Sequence, residues 1–128
     1  MVWNCPKCGT ENVAERGICL ACHHVRSSRV TLTAVSTGKF MAMSLDTAVG
    51  KASLRPLGDP DYIYASEPQF QILRDPVTGQ WTVLSDGAAK NPTHLDGHPL
   101  APRALLCDGA VITLGASRLK LIVNIQFI

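Results

Sequence analysis

Phe70-Gln71-Ile72-Leu73, Asp75-Pro76-Val77-Thr78-Gly79 and Trp81-Thr82-Val83-Leu84 follow one another along the chain as strand, turn and strand. The flanking runs are rich in aromatic and β-branched residues, which suit a pleated, half-buried surface. Between them, proline presets φ and glycine reaches the left-handed region, as a reversal requires. Working outward, similar runs recur at Val30-Thr31-Leu32-Thr33-Ala34-Val35, Phe40-Met41-Ala42-Met43-Ser44-Leu45, Tyr62-Ile63-Tyr64, Val111-Ile112-Thr113-Leu114 and Leu119-Lys120-Leu121-Ile122-Val123. Turn signals separate them at Asp59-Pro60-Asp61, Ser85-Asp86-Gly87, Asp96-Gly97 and Asp108-Gly109. After Val30 no window sustains apolar residues at helical spacing without a Gly or Pro, so no helix is expected there. Many short strands at roughly ten-residue spacing predict an all-β, antiparallel β-sandwich.

Upstream of these runs the chain changes character. Four of its five cysteines lie in Cys5-Pro6-Lys7-Cys8-Gly9 and Cys19-Leu20-Ala21-Cys22-His23, while Cys107 stands alone at a strand end, where a buried inert thiol is expected. Two residues between thiolates let a tight turn point both sulfurs at one ion, and two such turns complete a tetrahedron. Gly9 and Gly17 suit the left-handed conformations these turns need. The short hairpin between the pairs has too few apolar residues for a core, so metal must supply folding free energy, on the order of 10 kcal/mol. Disulfides would need an oxidising compartment, and Met1-Val2-Trp3-Asn4 lacks the basic and apolar regions of a signal peptide. Haem attachment at Cys19-x-x-Cys22-His23 would leave the upstream pair unexplained. His23 or His24 in place of Cys22 is sterically conceivable, but four cysteines are the simpler set. The spacing resembles a zinc ribbon over about residues 3–24 and implies one Zn²⁺ per chain at Cys5, Cys8, Cys19 and Cys22.

Bulk properties exclude several function classes. The 128 residues carry 12 Lys and Arg against 10 Asp and Glu, and a net charge of +2 is too small to imply nucleic acid or an anionic membrane. Residues 1–29 hold that whole excess, which four thiolates around one Zn²⁺ cancel, so a structural or protein-docking ribbon is favoured over a nucleic-acid reader. No apolar stretch approaches the ~20 residues of a membrane span. The expectation is a soluble, cytoplasmic protein. Catalytic constellations are absent: His94 and His98 lack a partnering nucleophile, the carboxylates are scattered singly at turns, and Gly38-Lys39 and Gly50-Lys51 lack the upstream glycine of a phosphate loop. A non-enzyme is expected.

The order of the turn motifs carries more than any one of them. Gly50-Lys51 is followed by Ser66-Glu67-Pro68-Gln69-Phe70-Gln71-Ile72, then by Asp86 and Asn91-Pro92-Thr93-His94-Leu95-Asp96-Gly97, then by Leu106-Cys107-Asp108-Gly109-Ala110-Val111-Ile112-Thr113-Leu114-Gly115. Over about residues 28–126 this resembles the forkhead-associated (FHA) domain. The resemblance implies an eleven-stranded sandwich that binds phosphothreonine peptides through loops at one end. It divides the chain into a ribbon at 1–25, a linker at 26–29 and an FHA-like sandwich at 30–128.

On the resemblance, Lys51 stands where a phosphate-binding arginine is usual, and Ser66 matches the phosphate-binding serine. Asn91 matches the asparagine that holds the peptide main chain, with Lys90 and Thr93 beside it, and Arg55 is a second candidate cation by proximity. Gly50 and Gln69 are expected to support the pocket, Gln69 in place of the usual histidine. The chain departs from the pattern at Lys51, which lacks arginine's planar fork, at Gln69, at Pro92 in place of glycine, and at Glu67, whose carboxylate would face the phosphate. The implied function is a signalling adaptor that binds a phosphorylated protein, a serine/threonine kinase substrate or a kinase- or phosphatase-linked partner. Two alternatives stand beside it: a scaffold that binds partners without phosphate, and ribbon-mediated binding to nucleic acid or a transcription complex.

Overall fold

The computed structural model describes residues 2–14, 16–100, 102–115 and 117–127. In chain order these residues form β1 (Val2–Asn4), β2 (Glu11–Val13), β3 (Ser28–Ala34), β4 (Phe40–Met43) and β5 (Thr47–Val49). A helical segment follows, made of α1 (Lys51–Leu54) and two 3-10 turns, Arg55–Leu57 and Pro60–Tyr64. The remaining strands are β6 (Phe70–Arg74), β7 (Trp81–Ser85), β8 (Thr93–Leu95), β9 (His98–Pro99), β10 (Arg103–Leu105), β11 (Val111–Leu114) and β12 (Lys120–Phe127). The β6–β7 hairpin is antiparallel, with Phe70 opposite Ser85 and Arg74 opposite Trp81, and its turn is the 75–79 stretch.

Two sheets make the sandwich: β10-β7-β6-β5, and β4-β3-β12-β11-β8-β9. All pairings are antiparallel. The longest register joins β3 to β12, from Ala34 opposite Leu121 to Ser28 opposite Phe127. Alternation along each strand sends one set of side chains inward: Val30, Leu32 and Ala34 from β3, Phe70 and Ile72 from β6, Trp81 and Val83 from β7, Ile112 and Leu114 from β11, and Leu121 and Val123 from β12 form one buried core. Trp81 satisfies its indole N–H by donating to Ser28 Oγ at 2.8 Å. Strand β3 takes in Ser28 and Arg29, which the sequence assigns to the linker, because the last two residues of β12, Phe127 and Gln126, pair with them.

Ahead of the sandwich, β1 pairs with β2 as a separate two-stranded sheet. Its small core holds Trp3, Cys5 and Cys19, with Cys22 packed against it. Trp3 donates its indole N–H to the Arg16 carbonyl at 2.8 Å.

Four expectations are corrected. The helical segment at 51–64 overrides the expectation of no helix after Val30. Its pieces are too short for a periodicity test, and Leu54 and Leu57, spaced i, i+3, bury themselves in the sandwich core. Tyr62-Ile63-Tyr64 accordingly ends a 3-10 turn and is not a strand; Asp59 caps that turn by accepting from the Asp61 N–H at 2.8 Å. The two sheets hold ten strands among the described residues, where the resemblance implies eleven. Cys107 is exposed, since the chain turns outward after the buried Leu106. No helix among the described residues is long and apolar enough to cross a membrane.

Candidate functional site

Three connections converge at one end of the sandwich: the start of α1 after β5, the loop before β6, and the loop between β7 and β8. They enclose a cavity of about 650 Å³ lined by Lys51, Arg55, Ser66, Glu67, Lys90 and Asn91, with Tyr62, Ile63 and Tyr64 along one side. Five of the six residues expected to contact a phosphopeptide are therefore neighbours around one space. Thr93 is not: it is buried in β8, and its hydroxyl accepts from Gln69 Nε2 at 3.0 Å. The inward-pointing register of β8 removes it from the cavity.

Gln69 is fully buried and holds the loops together. Its Oε1 accepts the Ser66 N–H at 2.8 Å, and its Nε2 donates to the Asn91 carbonyl at 2.6 Å. One planar amide thus offers an acceptor to one loop and a donor to the other. Its backbone N–H donates to the Val49 carbonyl at 2.8 Å and its carbonyl accepts from Asp86 N at 3.2 Å, so the bridge is itself fixed on both sides. The Ser66 hydroxyl accepts from the Lys90 N–H at 3.1 Å, which leaves its own proton free for an outside acceptor. Asn91 spends one Nδ2 hydrogen on the Tyr64 carbonyl at 2.9 Å and keeps the other, together with Oδ1.

Glu67 lines the cavity, where the sequence puts an opposing charge, but its carboxylate is already engaged. Its Oε2 accepts from the Ala52 N–H at 2.7 Å, which ties the loop before β6 to the start of α1. The carboxylate packs into the space where a side chain on Gly50 would begin. Gly50 has an extended backbone, with φ −147°, so it is glycine for room and not for dihedral freedom.

The four cysteine sulfurs lie at the other end, all within 4.8 Å of one another. The Cys5 and Cys22 Sγ atoms are 3.6 Å apart, as are those of Cys8 and Cys19. A tetrahedron with Zn–S bonds of ~2.3 Å has edges of about 3.8 Å, so the donor set fits one such ion. Each pair closes a matching turn, with Gly9 N donating to Cys5 O at 2.8 Å and His23 N to Cys19 O at 3.0 Å. Gly9 and His23, both at positive φ, take the left-handed positions of these turns; Gly17 does not share that conformation. The backbone of Cys22 holds the Cys19 thiol down to about 5, helped by Ala21 and Asn12 and opposed by burial. At Cys22 the His24 backbone pulls downward, but burial and the hydrogen bonds of Cys8, Cys5 and Cys19 outweigh it and push the thiol up to about 12. The sulfurs are crowded enough to share protons, a crowding that a common cation would relieve.

Arg26 ties the cysteine module to the neighbouring end of the sandwich. Its guanidinium carbon lies 5.0 Å from the centre of the Trp3 ring and 4.6 Å from that of Phe127 at the end of β12. Its N–H donates to the Gly17 carbonyl at 2.8 Å, and its carbonyl accepts from Arg74 Nη2 at 3.3 Å. Since Arg74 ends β6 while Ser66 and Gln69 precede its start, the cysteine module and the 650 Å³ cavity occupy opposite ends of the sandwich.

No family model and no curated protein matches the chain. Solved structures do. The FHA domain of an Arabidopsis thaliana hypothetical protein is 23% identical with a TM-score of 0.58, over 77% of this chain and 85% of that one. An FHA domain from an analysis of phosphothreonine-dependent FHA interactions is 22% identical with a TM-score of 0.57, over 77% and 95%. The FHA domain of human APLF, in complex with an XRCC1 bisphospho peptide, is 17% identical with a TM-score of 0.59, over 74% and 96%. At these identities the likeness is one of fold: this chain carries an FHA-like β-sandwich, preceded by a four-cysteine module that resembles a zinc ribbon.

Proposed function

We propose that the chain is a non-catalytic signalling adaptor whose sandwich binds a phosphothreonine-containing segment of a partner protein, the substrate of a serine/threonine kinase. The carrying observation is the convergence of Lys51, Arg55, Ser66, Lys90 and Asn91 on one cavity. A dianionic phosphate needs cations and hydroxyl or amide donors, and an extended peptide needs an amide that both donates and accepts. Lys51 and Arg55 supply charge, Ser66 its free hydroxyl proton, and Asn91 the remaining amide groups. Two solved structures that share the fold, Mycobacterium tuberculosis EmbR with a low affinity phosphopeptide and the FHA domain of human APLF with a bisphospho peptide, support this reading. We further assign one Zn²⁺ to Cys5, Cys8, Cys19 and Cys22, a ribbon to residues 1–25 and a sandwich that begins with β3 at Ser28 rather than at residue 30, in a cytoplasmic protein. Titration with matched phosphothreonine and unmodified threonine peptides tests the phosphate reading, since equal affinities would overturn it.

A second reading, partner binding without phosphate, draws on one observation: the Glu67 carboxylate already lines the cavity. It predicts that Ser66→Ala and Lys51→Ala leave partner capture unchanged.

A further inference from the structure

Each sheet of the sandwich ends in two edge strands, and each of these turns one row of backbone N–H and C=O groups away from its neighbour, with no strand partner among the described residues. Such a row is a template for pairing with another chain unless short length, charge or proline blunts it. Three of the four edges are blunted. Strand β9 has two residues, one of them Pro99; β10 has three, opens with Arg103 and follows Pro102; β5 has three and runs through Gly50 into α1. Strand β4 has four, Phe40-Met41-Ala42-Met43, with neither charge nor proline.

The register of β4 fixes what its edge offers. Ala34 N donates to the Lys39 carbonyl at 2.9 Å and Val35 N to the Lys120 carbonyl at 3.0 Å, so the even-numbered residues of β3 bond toward β4 and the odd-numbered ones toward β12. Leu32 lies opposite Met41 and Val30 opposite Met43, which sends the backbone bonds of Met41 and Met43 to β3 and leaves those of Phe40 and Ala42 facing outward. The side chains divide in the same way. Phe40, 64% exposed, and Ala42 stand on the outer face of the sheet, while Met43 is buried and Met41 packs against the core.

A row with its bonding groups at two residues spaced i, i+2 is its own complement about a two-fold axis. With Met41 opposite Met41 of a second, antiparallel copy, Phe40 falls opposite Ala42 in both directions, and every outward N–H and C=O of the two strands meets a partner. Facing residues share one side of a sheet, so outer face continues outer face. The Phe40 ring then lies beside the small Ala42, with Thr31 of β3 behind it, and the two Met41 side chains meet on the inner side, where an unbranched thioether fills irregular space. We propose that the chain self-associates as a two-fold dimer through β4, which joins its two six-stranded sheets into one. None of residues 40–43 lines the phosphate cavity, so this contact stands or falls apart from the phosphothreonine reading.

The full chain, kept reduced so that the exposed Cys107 forms no cross-link, tests it by sedimentation velocity. The contact is small, and small interfaces are weak, so the monomer-to-dimer midpoint is expected on the order of 100 µM. It should barely move between low and high salt, because the paired strands carry no charge. Ala42→Pro deletes an outward N–H and no bond to β3, and Phe40→Lys alters the outer side chain with the backbone intact; each should raise the midpoint about tenfold or more and keep the melting temperature of the dilute chain. Hydrogen exchange locates the contact without any variant. Near 1 mM the Phe40 and Ala42 amides should exchange about fivefold more slowly than in dilute solution, while the Met41 and Met43 amides, already bonded to β3, are protected at both concentrations. A chain that stays monomeric to about 1 mM overturns the dimer. So do a midpoint that shifts strongly with salt, association that persists unchanged in Phe40→Lys, and Phe40 and Ala42 amides that exchange equally fast at both concentrations.

Discussion

Ser66 takes a hydrogen bond from the Lys90 N–H, and its own N–H is taken by Gln69, so hydroxyl and backbone have separate tasks. Ser66→Ala therefore removes the proposed donor to the phosphate and the acceptor of the exposed Lys90 N–H, while Gln69 still holds the backbone of residue 66. We expect it, and Lys51→Ala, to weaken phosphothreonine-peptide binding by about tenfold or more with little change in melting temperature, since a hydrogen bond to a charged group contributes about 1.5–3 kcal/mol. Calorimetric titration and thermal denaturation check the two halves. Gln69 acts differently. Gln69→Ala strands the Ser66 N–H and the Asn91 carbonyl together and opens a cavity in a fully buried position, so we expect a loss of about 2–4 kcal/mol of stability by denaturant unfolding. Lys51, Ser66 and Asn91 were legible in the sequence because the order of turn motifs sets their place on the loops. Thr93 was misread, because a serine or threonine beside a site motif looks the same whether its strand register turns it to solvent or into the core.

Elements joined by alternating apolar runs were the easiest to read, the β6–β7 hairpin above all. The helical segment at 51–64 escaped because four- and five-residue pieces show no periodicity, and its two buried leucines look like any others in a loop. The contact between the cysteine module and the sandwich escaped for another reason: Arg26 reads as one cation in a basic junction. Its guanidinium lies between Trp3 and Phe127, and its carbonyl receives Arg74. Arg26→Ala removes both ring contacts and keeps the backbone bonds. We expect a loss of about 1–2 kcal/mol of stability by denaturant unfolding, given two partly shielded cation–π contacts. Arg26→Lys keeps the charge without the flat stacking surface and should recover only part of it.

At the scale of the molecule, residues 30–128 have equal numbers of cations and anions, so recognition of an anion there depends on placed residues and not on a long-range field. The proposed phosphate and metal sites stand at opposite ends of the sandwich, with the sandwich core between them and a separate small core under the cysteines. Interactions that share no partners are close to additive, so the two functions should separate. The metal-free chain binds more protons than the metal-bound one, because thiolates released from zinc become thiols; falling pH therefore favours release. Chelation or acidification should expose Trp3, whose small core rests on Cys5 and Cys19, while Trp81 stays buried against Ser28. A Trp81→Phe variant would report Trp3 alone by fluorescence, and a Trp3→Phe variant Trp81 alone. Under a chelator the Trp3 signal should shift toward that of a solvated indole and the Trp81 signal should hold. Phosphothreonine-peptide affinity should stay within about twofold, the usual scale of non-additivity between distant sites. A fall in peptide affinity that tracks zinc loss would mean that the contacts of Arg26 carry the state of the ribbon along β6 and β12 to the loops, and the two ends would then be one switch.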